Sequence, residues 1–267
     1  MTSLLNLATT IATDAATFIR EQRAKGVNVA ASKSSLTDIV TETDQASERM
    51  VAEAIMQARP NDSLLGEEGL SHQGSSGLTW IIDPIDGTVN YFYDIPTYAV
   101  SIAVVEGDAD PQSWTSLAGA VVNAPLGDVF AAARGEGATL NGRSIAPTGE
   151  TRLEQSLLGT GFSYEPERRA RQGVVVAQIL PRARDLRRIG SAALDICFVA
   201  SGQFDGYWER GLKPWDFAAA MHIAEEAGVE VRGLRGDRAD GRLLMAGSAG
   251  LLDTLEPLLL EFKADEA

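Results

Sequence analysis

From residue 3 to 25 apolar side chains return every three or four positions, at Leu4, Leu7, Ala8, Ile11, Ala15, Phe18 and Ile19. That period predicts an amphipathic helix, with Lys25-Gly26 as its stop. Residues 27 to 43 are polar, with one short extended piece near Asp38-Ile39-Val40. A second helix is predicted from about Asp44 to Arg59, with Met50, Val51, Ala54, Ile55 and Ala58 facing inward and Pro60 ending it. Ser63-Leu64-Leu65-Gly66 then reads as a short strand running into Glu67 and Glu68, and a Gly/Ser-rich loop covers 71 to 77. Further on the pattern becomes strand-like, at Ala99 to Val105, Ala118 to Val122 and Val129 to Ala133. Gly-containing turns separate these runs, as in an antiparallel meander. Asn141-Gly142 has the form of a two-residue hairpin turn.

Beyond about residue 150 strands and helices alternate. Strands are predicted at Leu157 to Thr160, Arg187 to Ile189 and Asp205 to Trp208. Helices are predicted at Glu165 to Leu180, Ser191 to Ser201 and Asp216 to Gly228. Such alternation predicts an α/β second half. Pro147-Thr148-Gly149-Glu150 marks a subdomain boundary too short to be a free linker.

Between the halves lies Trp80-Ile81-Ile82-Asp83-Pro84-Ile85-Asp86-Gly87-Thr88-Val89-Asn90. The apolar run predicts a buried strand that ends at Asp83, because Pro84 cannot donate to a sheet ladder. Asp83 and Asp86 can then point at one place around the turn. Two carboxylates about 4 Å apart repel by roughly 4 kcal/mol at an effective dielectric of about 20. A proton or a hard cation such as Mg²⁺ relieves that repulsion. Gly87-Thr88 can open a helix whose free N–H groups suit phosphate. The same letters also fit a plain solvated turn, since Asp-Pro and Asp-Gly both favour turns.

Composition narrows the field. With 267 residues and 45% hydrophobic content the chain can bury a substantial core. Its net charge of −14 argues against nucleic acid or an anionic membrane as the main partner. An anionic substrate stays open, because bound divalent ions invert the local sign. The single Cys197, in the apolar run Ile196 to Val199, reads as a buried thiol. His72 and His222 are too few and too scattered for a zinc centre. The absence of a signal-like leader and of about 18 consecutive apolar residues points to a soluble, cytoplasmic protein.

Four acidic spots stand at strand ends or helix starts: Asp44, Glu67-Glu68, Asp83 with Asp86, and Asp216. Asp44 and Asp216 fit helix N-caps equally well, and Glu67-Glu68 fits a solvated loop. As a set, however, they resemble the inositol monophosphatase family. Trp80 to Thr88, with Asn90 and Ala99-Val100-Ser101-Ile102, is similar to its first signature. Trp215-Asp216-Phe217-Ala218-Ala219-Ala220, followed by Glu226-Ala227-Gly228, is similar to its second. Gly66-Glu67-Glu68 and Thr41-Glu42-Thr43-Asp44 resemble its two other acidic motifs, in the same order. The resemblance spans roughly residues 33 to 230.

The resemblance implies a layered α/β fold, an alternating α-β-α-β-α sandwich of the sugar-phosphatase type. It implies one phosphatase unit over 1–267, with a metal-binding half at about 1–147 and a substrate-binding half at 148–267. It implies two to three Mg²⁺ ions. Glu67, Asp83 and the Ile85 carbonyl would hold one; Asp83, Asp86 and Asp216 a second; Glu67 and water a third, weaker one. Glu67, with Asp44 and Thr88, would carry catalysis, the last two by orienting the attacking water. Gly87 and Thr88 would cradle the phosphate. Asp86, Gly190, Ser191, Ala192, Glu209 and Asp216 would line the alcohol half, and Lys33 would order a loop before the metal site. Glu209 also reads as a surface acid after a strand, and Lys33 as a solvated one. The implied activity is hydrolysis of a phosphate monoester by metal-activated water, inhibited by Li⁺ and carried out by a homodimer. Myo-inositol 1-phosphate is the first candidate substrate; L-histidinol phosphate, fructose bisphosphate and adenosine bisphosphates are rivals. A non-catalytic partner-binding protein is the alternative from another class.

Overall fold

The computed structural model describes residues 2–27, 29–32 and 39–266. Lys33 lies outside them. The helices are α1 (Thr2–Lys25), α2 (Glu42–Ala58), α3 (Thr88–Tyr93), α4 (Pro166–Ile179), α5 (Ala192–Ala200), α6 (Pro214–Glu226) and α7 (Ala249–Glu261). The strands of the first half are β1 (Val29–Ser32), β2 (Ile39–Thr41), β3 (Ser63–Gly66), β4 (Ser71–His72), β5 (Leu78–Asp86), β6 (Ala99–Glu106), β7 (Thr115–Asn123), β8 (Asp128–Ala133), β9 (Ala138–Leu140) and β10 (Arg143–Ser144). Those of the second are β11 (Leu157–Thr160), β12 (Asp185–Arg187), β13 (Gly206–Glu209), β14 (Glu230–Arg232) and β15 (Leu244–Gly247).

Two sheets carry the fold. One has eight strands in the order β10-β9-β8-β7-β6-β5-β3-β4; the other has five, in the order β12-β11-β13-β15-β14. Alternate residues of a strand face opposite ways, and here each face finds its own core. On β5, Trp80 and Ile82 pack with α1 and α2, among Ala8, Ile19 and Val51. Ile81 between them faces the other way, into a core shared with Ile196 of α5 and Phe217 of α6. On β13 and β15, Tyr207, Leu244 and Ala246 join that same central core. Trp208 and Met245 point outward to α4 and α7, among Val175, Ile179 and Leu255. The layers are therefore helix, sheet, helix, sheet, helix.

The meander from β5 to β10 is antiparallel throughout, as the spacing predicts. Asn141 and Gly142 both have positive φ (52° and 75°) in the hairpin between β9 and β10, which a two-residue turn of this type requires. Several expectations need correction. The strand does not end at Asp83: β5 continues through Pro84 to Asp86, with a register irregularity between Asp83 and Asp86. A bulge lets a proline stay in a strand, and it turns both carboxylates to one side. The second helix starts at Glu42, with Thr41 as its N-cap, so Asp44 is its third residue and not its cap. Asp216 likewise is the third residue of α6, which opens at Pro214 after Lys213. Glu209 closes β13 instead of following it, and the strand expected at Arg187 to Ile189 lies at Asp185–Arg187. His72 sits on the exposed edge strand β4, not in a loop.

Helix α6 lies against β5, β6 and β7, and Gly119 sets how closely. A Cβ there would stand 2.7 Å from the Ala219 carbonyl oxygen. Gly119→Val is expected to lower stability by about 1–3 kcal/mol, because strand and helix must part. Urea unfolding measures it; an unchanged midpoint would mean that β7 and α6 are not in contact.

Candidate active site

The bulged end of β5 opens into a cleft of about 670 Å³. Glu67, Asp83, Ile85, Asp86, Gly87, Thr88, Gly190, Ser191, Ala192, Glu209 and Asp216 all line it. The structure thus brings together every site residue read from the sequence except Asp44 and Lys33. Asp44 is fully buried behind Thr88.

Each acid is fixed by the element that carries it. Asp83 Oδ1 accepts a 3.0 Å bond from the Ile85 N–H within the bulge. Asp86 Oδ2 accepts from the Ser191 hydroxyl at 2.6 Å and from the Ala193 N–H at 2.7 Å, at the start of α5. Asp216 Oδ2 accepts from the Lys213 N–H at 2.6 Å. Asp44 Oδ2 accepts from both the N–H and the hydroxyl of Thr41. Asp44, Asp86 and Asp216 thus each use Oδ2 at a helix N-terminus without being its N-cap. The Asp44 Oδ1 faces the Thr88 hydroxyl at 3.1 Å. That hydroxyl is also 3.0 Å from the Ile85 carbonyl oxygen. It has one proton for two acceptors, so its hydrogen bonding can switch.

Burial dominates the electrostatics. It pushes the Asp83 carboxyl well above the ordinary range, with Glu67, Asp86 and Asp216 adding repulsion. Burial raises Asp216 well above that range too, Glu67 adding to it. Asp86 rises to about 6 through burial, opposed by its bonds to Ser191 and Ala193. Asp44 rises to about 6 for the same reason, opposed by Thr41.

The side of the cleft that carries Glu209 is built differently. Glu209 is half-buried and accepts a hydrogen bond from the Tyr207 hydroxyl. Burial raises it to about 7, while the Tyr207 bond and then Arg188 oppose the rise. Gly161 is needed here, since a Cβ would collide with the Glu209 carboxyl. Gly87, at φ 94°, passes within reach of Gly190: its Cβ would lie 3.2 Å from the Gly190 carbonyl oxygen. Asn90 ties the two segments, its Nδ2 donating to Thr97 O at 2.7 Å and to Ile189 O at 2.9 Å.

Two supporting residues escaped the sequence reading. Glu48, on α2, is buried and accepts from the N–H groups of Glu68 (2.8 Å) and Leu70 (3.1 Å). It fixes the turn that presents Glu67, and Gly66 leaves room for its carboxyl. Its place one turn after Asp44 on the same helix face was the available signal. Asp195 is buried in α5, lines the cleft, and among the described residues leaves Oδ1 without a partner. Its signal was the charge itself, inside an otherwise apolar helix.

The donor set suits a hard cation: carboxylate oxygens plus the Ile85 carbonyl, with the acids repelling one another in a buried site. Among the described residues no three acid, His or Cys side chains already converge as a closed ligand cage. Mutually repelling carboxylates have no reason to close without a cation between them.

The chain matches the inositol monophosphatase family over residues 1–260 and belongs to it. Inositol-1-monophosphatase of Mycobacterium bovis is 41% identical, over 98% of this chain and 95% of that protein. Nus factor SuhB of Escherichia coli is 36% identical, over 85% and 84% respectively. The solved structure of Mycobacterium tuberculosis SuhB superimposes with a TM-score of 0.82 at 39% identity, over 98% of this chain and 97% of that one. The fold is that of the family. Among the described residues no helix is long and apolar enough to cross a membrane.

The raised carboxyls give a pH signature. Between about pH 4 and 6 the folded chain holds more protons on Asp44 and Asp86 than the unfolded chain does. Stability from these groups is therefore greatest below that window and falls as pH rises through it. Asp83 and Asp216 act in the same sense. Metal-free protein is expected to melt at a higher temperature at about pH 5 than at about pH 7.5. A melting temperature that climbs over that range without metal would contradict the burial-driven rise of these four carboxyls.

Proposed function

We propose that this chain is a Mg²⁺-dependent phosphate-monoester hydrolase acting on myo-inositol 1-phosphate in the cytoplasm, as a homodimer. The observation that carries the reading is the convergence of Glu67, Asp83, Asp86 and Asp216 on one cleft beside the Thr88–Asp44 pair. In this reading the first half, 1–147, supplies most of the metal ligands, and the second, 148–267, most of the alcohol contacts.

Glu67, Asp83 and the Ile85 carbonyl would hold one Mg²⁺; Asp83, Asp86 and Asp216 a second; Glu67 would share a third, weaker ion. Mg²⁺ supplies Lewis-acid stabilisation of the attacking and leaving oxygens and lowers the pKa of water. Thr88 accepts a hydrogen bond from the attacking water while donating to Asp44, which fixes the water's direction. Asp44 is shielded from solvent and held by Thr41, so its Oδ1 stays facing the Thr88 hydroxyl. Gly87, in its left-handed conformation, caps the start of α3 and leaves N–H groups free for phosphate oxygens. Gly190, Ser191 and Ala192 form one wall for the alcohol, and Glu209 accepts from its hydroxyls.

L-Histidinol phosphate would meet the same chemistry; a substrate panel separates the two. The Nus-factor names of some relatives support a second, non-catalytic role, which a catalytically dead variant would retain.

Asp83→Asn tests the metal assignment. It keeps the shape and removes the charge shared by two ligand sets. Turnover is expected to fall at least about a thousandfold at saturating Mg²⁺, with a melting temperature of metal-free protein equal to or above that of the wild type. Near-normal turnover would sink the assignment.

Glu209→Ala separates chemistry from recognition. A hydrogen bond to a charged acceptor is worth about 1.5–3 kcal/mol. The preference in kcat/KM for myo-inositol 1-phosphate over p-nitrophenyl phosphate should fall roughly ten- to a hundredfold. Equal losses on both esters would place Glu209 with the metals or the fold instead.

A further inference from the structure

Thr88 acts from a short element. Helix α3 has six residues, too few to hold itself in place without outside contacts. Thr88 opens it, and Tyr91 stands three residues on, on the same face. Both reach the first turn of α2, where Thr43 and Asp44 are the second and third residues. The Thr88 hydroxyl lies 3.1 Å from Asp44 Oδ1, and the Tyr91 hydroxyl lies 3.1 Å from Thr43 Oγ1. A pair of neighbouring side-chain bonds thus joins the two helices, its members one turn apart on α3 and one residue apart on α2.

The bonds of Tyr91 have a direction. Its hydroxyl is also 3.2 Å from the carbonyl oxygen of Ile19 on α1, which can only accept. Tyr91 therefore donates to Ile19 and accepts from Thr43, and one hydroxyl ties all three N-terminal helices together. The side chain is fully buried, and its ring meets that of Tyr98 edge to face at 5.1 Å. Arg23, one turn further along α1, grips the far end of α3 through the Phe92 carbonyl oxygen at 3.4 Å and Asp94 at 3.5 Å. Core packing at this position asks only for an aromatic ring. A buried hydroxyl costs free energy unless it is bonded, and this one spends its bonds on two other helices, one of them beside Asp44. Apolar contact is non-directional, whereas a hydrogen bond constrains both distance and angle.

We propose that Tyr91 is a positioning residue for the reaction: through Thr43 its hydroxyl fixes the first turn of α2, so that Asp44 Oδ1 keeps its place against the Thr88 hydroxyl. Tyr91 touches neither substrate nor water itself. Its effect passes through Thr43 to Asp44, and from there to the direction in which Thr88 holds the attacking water. The proposal rests on the phosphatase reading, because it takes the Thr88–Asp44 pair as the group that orients that water.

Tyr91→Phe removes one oxygen and tests this. kcat should fall about tenfold on myo-inositol 1-phosphate and on p-nitrophenyl phosphate alike, with KM within about twofold of wild type, because both esters await the same water. Thr43→Val should do the same, and Thr43→Ser, which keeps the hydroxyl, should turn over at close to the wild-type rate. The double variant Tyr91→Phe/Thr43→Val separates positioning from packing. It removes both partners of one bond, so its melting temperature should return close to that of the wild type, while kcat should stay about tenfold down. A kcat that recovers together with the melting temperature would make Tyr91 a packing residue and overturn the proposal. So would a kcat within about twofold of wild type in Tyr91→Phe, or a loss confined to one ester. Amide hydrogen exchange gives a readout independent of turnover: the first turn of α2 should exchange about tenfold faster in Tyr91→Phe and in the double variant. If the wild type hydrolyses neither ester, the phosphatase reading fails. The anchoring of Asp44 by Tyr91 then stands on that faster exchange, or falls with unchanged exchange.

Discussion

The organising constraint is the repulsion among carboxylates gathered at the end of β5. Asp83 is almost wholly buried and Asp86 nearly so, and Glu67 and Asp216 reinforce the strain on Asp83. One helix N-terminus stabilises a nearby anion by about 0.3–1 kcal/mol. A single pair of charges at about 4 Å opposes by roughly 4 kcal/mol. The helix ends can orient these acids, but they cannot neutralise them. Without a counter-charge the site must bind extra protons.

Orientation is where the fold contributes most. Three helices, α2, α5 and α6, aim their N-termini inward, and each takes one oxygen of one acid. That leaves the second oxygen free to face Thr88 or the cleft. Because α5 and α6 lie between the two sheets, the acids of the first sheet and Glu209 of the second line one cleft across a single helix layer. Gly119 permits α6 to approach β7 closely, so backbone packing helps to set the position of Asp216.

Much of this was legible in the sequence. Helix periods, the meander and the Asn141-Gly142 turn follow from local rules, and the acid motifs identified the family. What local rules missed depended on distant partners. Pro84 signals a strand end only if the ladder is regular, and the bulge between Asp83 and Asp86 makes it irregular. Asp44 and Asp216 looked like caps because they do bond a helix N-terminus, though from the third helical position. Glu48 was silent because its partners, the N–H groups of Glu68 and Leu70, lie some twenty residues away. Asp195 was silent because the sequence records its charge but not the cleft that it lines. The last strands and α7 followed the stretch carrying recognisable motifs and were not read.

Burial acts alike on carboxyls in different parts of the cleft. Glu209 is raised to about 7 by burial, with the Tyr207 bond and Arg188 opposing the rise and Asp86 adding to it. Asp83 is crowded by Glu67, Asp86 and Asp216. The same physical cause, desolvation, therefore acts in two settings: on Asp83 among other acids, which reinforce the rise, and on Glu209 beside Tyr207 and Arg188, which oppose it. What differs is the company that each carboxyl keeps, and that company is set by which sheet it stands on.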